Sequence, residues 1–158
     1  MKIEKNSFVL IEYFVTNELG DIVDQSDLET PFGFVVGTDH MPQGVEKRLL
    51  GQEEGAHLQF TLEPHEAYGF VKPELVRPMS RKSLPPDLDI RTGEQYQARS
   101  SIGPVSFRVN AITDNTIVGD FNHPLAGQRL SFNVKVLQIR QSTAVEIALS
   151  LSEARRQF

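Results

Sequence analysis

Between Gln128 and Arg140 apolar and polar residues alternate with a period of two: Leu130, Phe132, Val134 and Val136 fall to one side, Ser131, Asn133 and Lys135 to the other. Successive side chains leave a strand on opposite faces, so this segment reads as a long strand with one face on a core and one in water. Residues 56–62 repeat the pattern, with Leu58, Phe60 and Leu62 against His57, Gln59 and Thr61. Parallel sheets are covered on both faces, so half-buried strands favour an antiparallel sheet. Residues 7–16 are β-branched and aromatic, with no Gly or Pro, and read as a strand mostly covered on both faces. A turn over 17–21 leads to a short return strand at Ile22–Val23, and 31–37 form another short strand closed by Gly37. The helical pattern over 44–51 is short. Val45, Leu49 and Leu50 make its apolar side and Gly51 its stop.

The texture changes from Phe70 to about Gly93. Five of the nine prolines (Pro73, Pro78, Pro85, Pro86 and Pro104) lie between Phe70 and Phe121, and periodicity is lost until Glu94. Val105, Phe107, Val109 and Ala111 then alternate with polar residues, and a turn at 113–116 leads into Ile117–Val118, a hairpin pattern. Residues 70–121 are therefore expected to form a separate small module, with the 128–140 strand rejoining the first sheet. In the tail, Thr143 and Glu146 have capping-box spacing, and Ile147, Leu151, Ala154 and Phe158 recur at helical intervals. A docked helix over about 143–156 is expected, with Arg155 and Arg156 suiting its C-terminal end.

The composition is that of a globular chain, 39% hydrophobic and 23% charged. A formal charge of −5 argues against broad attraction to nucleic acid or an anionic membrane. The chain has no cysteine, which removes disulfides, thiolate metal sites and cysteine nucleophiles. His40, His57, His65 and His123 show no metal-ligand spacing, no glycine-rich phosphate loop follows a strand, and no serine stands in a nucleophile elbow. The apolar run after Ser7 is cut by Glu12, too short for a signal peptide or a membrane span. A cytoplasmic protein without metal or cofactor is expected.

What remains is aromatic: Tyr13, Phe32, Phe34, Tyr68 and Phe132 on strands or at strand ends, with Asp24 just after a short apolar strand. From residue types alone each of these rings reads better as core, and Asp24 as a solvated turn residue. Several stretches, however, resemble the ordered signature of FKBP-type peptidyl-prolyl isomerases. They are Val23-Asp24-Gln25-Ser26, Pro31-Phe32-Gly33-Phe34 closing at Gly37, Gln43-Gly44-Val45-Glu46, and Glu66-Ala67-Tyr68-Gly69. Phe121 to Gly127, followed by Leu130 to Val134, is similar to the insert-bearing, SlyD/SlpA-like branch. The resemblance covers the chain to about Arg140.

The resemblance implies a mainly β (α+β) fold: an antiparallel half-barrel around the 44–50 helix, from residues 1–69 and 122–158. A β-rich insert-in-flap chaperone domain would occupy 70–121, and the C-terminal helix would stand outside the common pattern. It implies isomerisation of Xaa–Pro bonds in unfolded or partly folded chains. A non-catalytic holdase on the same scaffold is the alternative. Tyr13, Asp24, Tyr68 and Phe132 would carry catalysis; Phe34, Met41, Pro42, Val45 and Leu125 would hold the substrate. Asp24 could instead be structural, bonded to Tyr13. Val45 stands where smaller members place a tryptophan, and Pro42 where a backbone N–H usually serves the substrate. Client capture would fall to Pro73, Leu75, Val76, Pro78, Met79, Ile102, Val105 and Phe107. Proline-containing polypeptides are the expected partners, macrolide inhibitors of the family candidate ligands, and a monomer is expected rather than a dimer.

Overall fold

A computed structural model describes residues 1–100 and 103–156. It divides into two compact units, Met1–Phe70 with Gly127–Phe158, and Val71–Ala126.

The first unit is built on β1 (Ser7–Thr16), flanked by β2 (Ile22–Gln25) and β3 (Phe32–Val35). β1 pairs antiparallel with β9 (Leu130–Gln141), which in turn pairs antiparallel with β4 (His57–Leu62). The sheet order is β2-β1-β9-β4, with β3 also on β1. Alternation places Val9, Ile11 and Val15 of β1 and Leu130, Phe132, Val134 and Val136 of β9 in the core. The phase of β9 then changes. Leu10 faces Gln138 while Ile11 faces Val136, so Leu137 is an extra residue, and beyond this bulge Ile139 is the buried one.

Helix α1 (Gln43–Leu49) buries Val45 and Leu49. Each such side chain contributes about 1.5–3 kcal/mol when removed from water. Leu50, expected on the same side, is instead the C-cap residue and is exposed, because the chain leaves the helix there with ψ 130°. Gly44 permits the close seating of α1: a Cβ there would stand 2.7 Å from the Glu66 carbonyl oxygen and 2.9 Å from a Leu62 methyl.

Helix α2 (Ala144–Arg156) closes the unit, and the capping box forms as its spacing predicts. The Glu146 N–H donates to Thr143 Oγ1 at 3.1 Å, and the Thr143 N–H donates to Glu146 Oε1 at 3.1 Å. Arg140 grips the same carboxylate with two nitrogens at 2.8 and 2.7 Å, while its guanidinium lies 4.1 Å from the centre of the Phe8 ring. Ile147 is half-buried, as expected of a docked residue. Leu151 is not docked: at 41% exposure it lies on the solvent side, since polar ties rather than a full apolar stripe hold this helix. The expectations for the Ala154 side chain and for Phe158 lie outside the described residues.

These ties hold the Glu146 carboxyl at about 2, well below the usual carboxylate range, with the Arg140 hydrogen bond the largest cause. A group depressed on folding stabilises fully above its unfolded pKa and loses that contribution as pH falls through the folded value. Docking of α2 should therefore be intact above about pH 4.5 and weaken steadily toward pH 2. Amide exchange of 144–153 in wild type and Glu146→Gln should show that pH dependence only in wild type.

In the second unit β5 (Val76–Ser80), β6 (Gln95–Ser100), β7 (Gly103–Ile112) and β8 (Thr116–Asp120) form an antiparallel sheet, order β5-β8-β7-β6. Its core is Leu84, Phe107, Val109 and Ile117, with Met79, Ile90, Tyr96, Ala98 and Phe121 packed on it. The β7 alternation stops at Val109. A register shift before Ala111 leaves Ala111 exposed, off the face that its spacing predicts.

Pro85 and Pro86 lie in the loop before β6, and the Arg81 side chain braces it. The Arg81 guanidinium donates to the carbonyls of Leu84, Pro85, Pro86 and Leu88 at 2.8–3.4 Å. At the base of the unit the Asn122 side chain accepts from the Lys72 N–H at 2.9 Å and donates to its carbonyl at 3.1 Å. Among the described residues no helix is long and apolar enough to cross a membrane.

Candidate functional site

Tyr13 shares its strand parity with Val9, Ile11 and Val15, so its ring turns inward, and it is half-buried. Ser26, beyond the end of β2, fixes its backbone: the Tyr13 N–H donates to Ser26 Oγ at 3.0 Å, and the Ser26 N–H donates to the Tyr13 carbonyl at 2.9 Å. This places Asp24 within reach of the ring. The Tyr13 hydroxyl donates to Asp24 Oδ2 at 3.4 Å, while Asp24 Oδ1 accepts the Gln25 N–H at 2.8 Å. Phe32 and Phe34, two apart on β3, share a face. They stack at 5.7 Å, and Tyr13 meets Phe32 edge-on at 5.9 Å.

Tyr68 follows a short 3₁₀ turn (Pro64–Glu66) that Arg48 ties to α1. The Arg48 guanidinium donates to the Gly44 carbonyl at 3.1 Å and pairs with Glu66 at 3.2 Å. It also lies 5.1 Å from the centre of the Phe60 ring, which itself stacks on Phe132 at 5.6 Å. Burial pushes the Tyr68 phenol up to about 12, with the Asp24 carboxylate adding to it. Burial raises Tyr13 further still, and both Asp24 and Tyr68 act on it. The three groups thus share one electrostatic neighbourhood. Both phenols keep their protons at neutral pH and can donate them.

Phe34, Met41, Val45 and Phe132 are buried in the first unit, with Val45 0% exposed. Pro42 is half-buried as the residue before α1, where its carbonyl accepts from the N–H groups of Val45 and Glu46. The aromatic series contains a member absent from the expected substrate set, Phe32, which bridges Tyr13 and Phe34. Arg48 and Glu66 are likewise outside the expected site residues, although Glu66 opens the Glu66-Ala67-Tyr68-Gly69 motif. A separate groove of about 340 Å³, lined by Glu12, Phe14, Asp27, Leu28, His57 and Lys135 among others, shares only Tyr13 with this set.

The remaining candidates belong to the second unit. Leu125 is half-buried, its N–H donating to His123 Nδ1 at 3.0 Å. Pro73 and Pro78 are exposed; Leu75, Val76, Met79 and Val105 are half-buried. Phe107 is a correction. It is 1% exposed, with its ring 5.3 Å from Phe121 and 6.2 Å from Tyr96, so it holds the unit together and offers no surface to a client. Ile102 lies outside the described residues.

Residues 1–137 match the family described as FKBP-type peptidyl-prolyl cis-trans isomerase. Curated relatives named FKBP-type peptidyl-prolyl cis-trans isomerase SlyD are similar over nearly the whole chain. The protein from Treponema pallidum is 34% identical, covering 96% of this chain and 86% of the relative. That from Haemophilus influenzae is 34% identical over 94% and 78%, and that from Escherichia coli K12 33% over 94% and 76%.

Proposed function

We propose that this chain, which belongs to the FKBP-type peptidyl-prolyl cis-trans isomerases, turns Xaa–Pro bonds against a wall made by Tyr13, Asp24, Phe34, Met41, Val45, Tyr68 and Phe132. The activity is rotation about the peptide bond before proline in polypeptide substrates. That rotation crosses a barrier of about 18–20 kcal/mol because the amide loses resonance as it twists. No bond is made or broken, so neither a nucleophile nor a metal is needed.

The twisted amide is less polar than the planar one. A surface that replaces water with aromatic and aliphatic groups disfavours the planar ground state relative to the transition state. The half-buried Tyr13, Phe32 and Tyr68 offer that surface, and the buried Phe34, Val45 and Phe132 belong to the core that backs it. Tyr68 keeps its proton and donates it to a substrate carbonyl, a role made heavier by Pro42, which has no N–H to offer. A gain of about 10³–10⁴ requires only about 4–5.5 kcal/mol, within reach of desolvation plus one or two hydrogen bonds. The carrying observation is the cluster of two protonated phenols and one carboxylate beside buried aromatic side chains.

Catalysed cis–trans exchange of an Xaa–Pro tetrapeptide, followed by NMR with purified protein, tests the reading. Asp24→Asn keeps an acceptor for the Tyr13 hydroxyl and removes the charge. Turnover should fall by less than about threefold if Asp24 mainly holds Tyr13. In the same variant the Tyr68 phenol should titrate lower, since the Asp24 charge raises it. Ultraviolet phenolate absorbance checks this, and a tenfold loss of turnover would instead place Asp24 on the substrate.

The second unit, Val71–Ala126, is the client-capturing module of this reading, working through Pro73, Leu75, Val76, Pro78, Met79 and Val105. The protein acts as a monomer in the cytoplasm and accepts macrolide inhibitors on the same wall. Size-exclusion chromatography with light scattering and inhibitor titration of tetrapeptide turnover test those two points.

A further inference from the structure

The segment between β3 and α1 ends in Met41 and Pro42, yet it forms neither helix nor strand. Two of its residues sit in the left-handed region, Gly37 at φ 94° and Asp39 at φ 61°. Its shape therefore depends on side-chain ties. The Gly37 N–H donates to Glu46 Oε1 at 3.2 Å. The buried Thr38 hydroxyl donates to the Val35 carbonyl at 2.7 Å and stands 2.8 Å from His40 Nδ1. A hydroxyl has one proton. With that proton on Val35, the Thr38 oxygen accepts from His40, so Nδ1 carries hydrogen and Nε2 is the ring's variable position.

His40 Nε2 lies 3.5 Å from the carboxylate of Glu153 on α2, and the His40 side chain is only 15% exposed. In the neutral ring a lone pair faces the carboxylate and no bond forms; in the protonated ring an N–H does, with opposite charge behind it. The acids near the ring are Glu153 from α2 and Glu46 from α1, with Asp39 acting on Glu46, while the side chain of Lys5 lies against Gly37 of the same segment. Glu153 sits toward the C-terminal end of its helix, where a negative charge is mildly unfavourable and a nearby cation is favoured. Val145, Leu149 and Leu151 of α2 face solvent.

We propose that His40 is a positioning residue for the isomerase wall, and that Glu153 latches α2 onto it when the imidazole is protonated. The proposal rests on the reading of Met41 and Val45 as that wall. With the imidazole protonated the helix braces the segment and substrate binds more tightly. With the imidazole neutral the latch opens.

The test measures KM and kcat for an Xaa–Pro tetrapeptide by protease-free NMR exchange from pH 5 to 8, in wild type, Glu153→Gln, His40→Asn and His40→Ala. Wild-type KM should rise about threefold across the range, the size expected for an exposed ion pair, with kcat unchanged. Glu153→Gln and His40→Asn should stay at the alkaline value throughout. Asparagine keeps a donor for Thr38, so His40→Asn should bind substrate better than His40→Ala at every pH. Amide resonances of 144–153 and 37–41 should shift together with pH in wild type alone.

A flat wild-type KM, or an unchanged pH step in Glu153→Gln, overturns the proposal. Joint movement of the amides without a change in KM overturns the positioning role. Full activity of Tyr68→Ala would sink the wall reading instead, and it would leave the amide titration untouched.

Discussion

Replacing Tyr68 with alanine lowers kcat/KM for an Xaa–Pro tetrapeptide by at least about tenfold while the fold survives. Tyr68 is only half-buried and follows a 3₁₀ turn, so its ring can be removed without opening the first unit's core. The loss combines a hydrogen bond to the substrate with apolar surface, and Tyr68→Phe separates the two. If donation matters most, phenylalanine is nearly as poor as alanine; if water exclusion matters most, phenylalanine recovers most of the activity.

Phe132 requires a different substitution. It is 2% exposed, lies on the central strand β9 and stacks on Phe60, so alanine there would cost about 3–5 kcal/mol of stability. Phe132→Leu keeps most of the volume and removes the flat ring face. It should stay folded by near-ultraviolet circular dichroism and lose activity in the same range as Tyr68→Ala. Wild-type turnover in both Tyr68→Ala and Phe132→Leu would remove these residues from the site.

The fold was legible where one local pattern decides the outcome. Leu130 to Val136 alternate because one face of β9 is core, and Thr143 with Glu146 mark a helix start through contacts three residues apart. What escaped the sequence depends on partners distant in the chain. The bulge at Leu137 exists because β1 and β9 slip by one residue between Leu10 and Ile11, and nothing local to Leu137 signals it.

The same limit applies to the site. Tyr13, Asp24 and Tyr68 are recognisable through motif order, yet their mutual electrostatics arise only when β1, β2 and the turn after β4 converge. Phe107 went the other way. Its period-two spacing identifies the face of β7 that is covered, but not that the cover is Leu84, Val109 and Ile117 of the same unit rather than a client.

Exchanging residues 71–126 for a short loop leaves tetrapeptide turnover within about threefold and slows catalysed refolding of a proline-limited protein by at least tenfold. The graft is geometrically mild on the first unit's side, because the Gly127 N–H already donates to the Gly69 carbonyl at 2.7 Å and holds the two ends of the excision together. The second unit is small. Among its described residues the buried core is Leu84, Phe107, Val109 and Ile117, and Val71 and Ile112 remain exposed while Leu75, Val76, Met79 and Val105 are half-covered. A module of this size cannot bury all its apolar side chains, and what remains uncovered suits an unfolded chain. Met79 adapts to varied partners through its flexible thioether. A tetrapeptide needs only the Tyr13–Tyr68 wall and is indifferent to such capture. An unfolded protein held by the covalently tethered module meets that wall at an effective concentration of order millimolar, and this advantage disappears with the excision. Refolding catalysis that survives the exchange undiminished would place capture in the first unit.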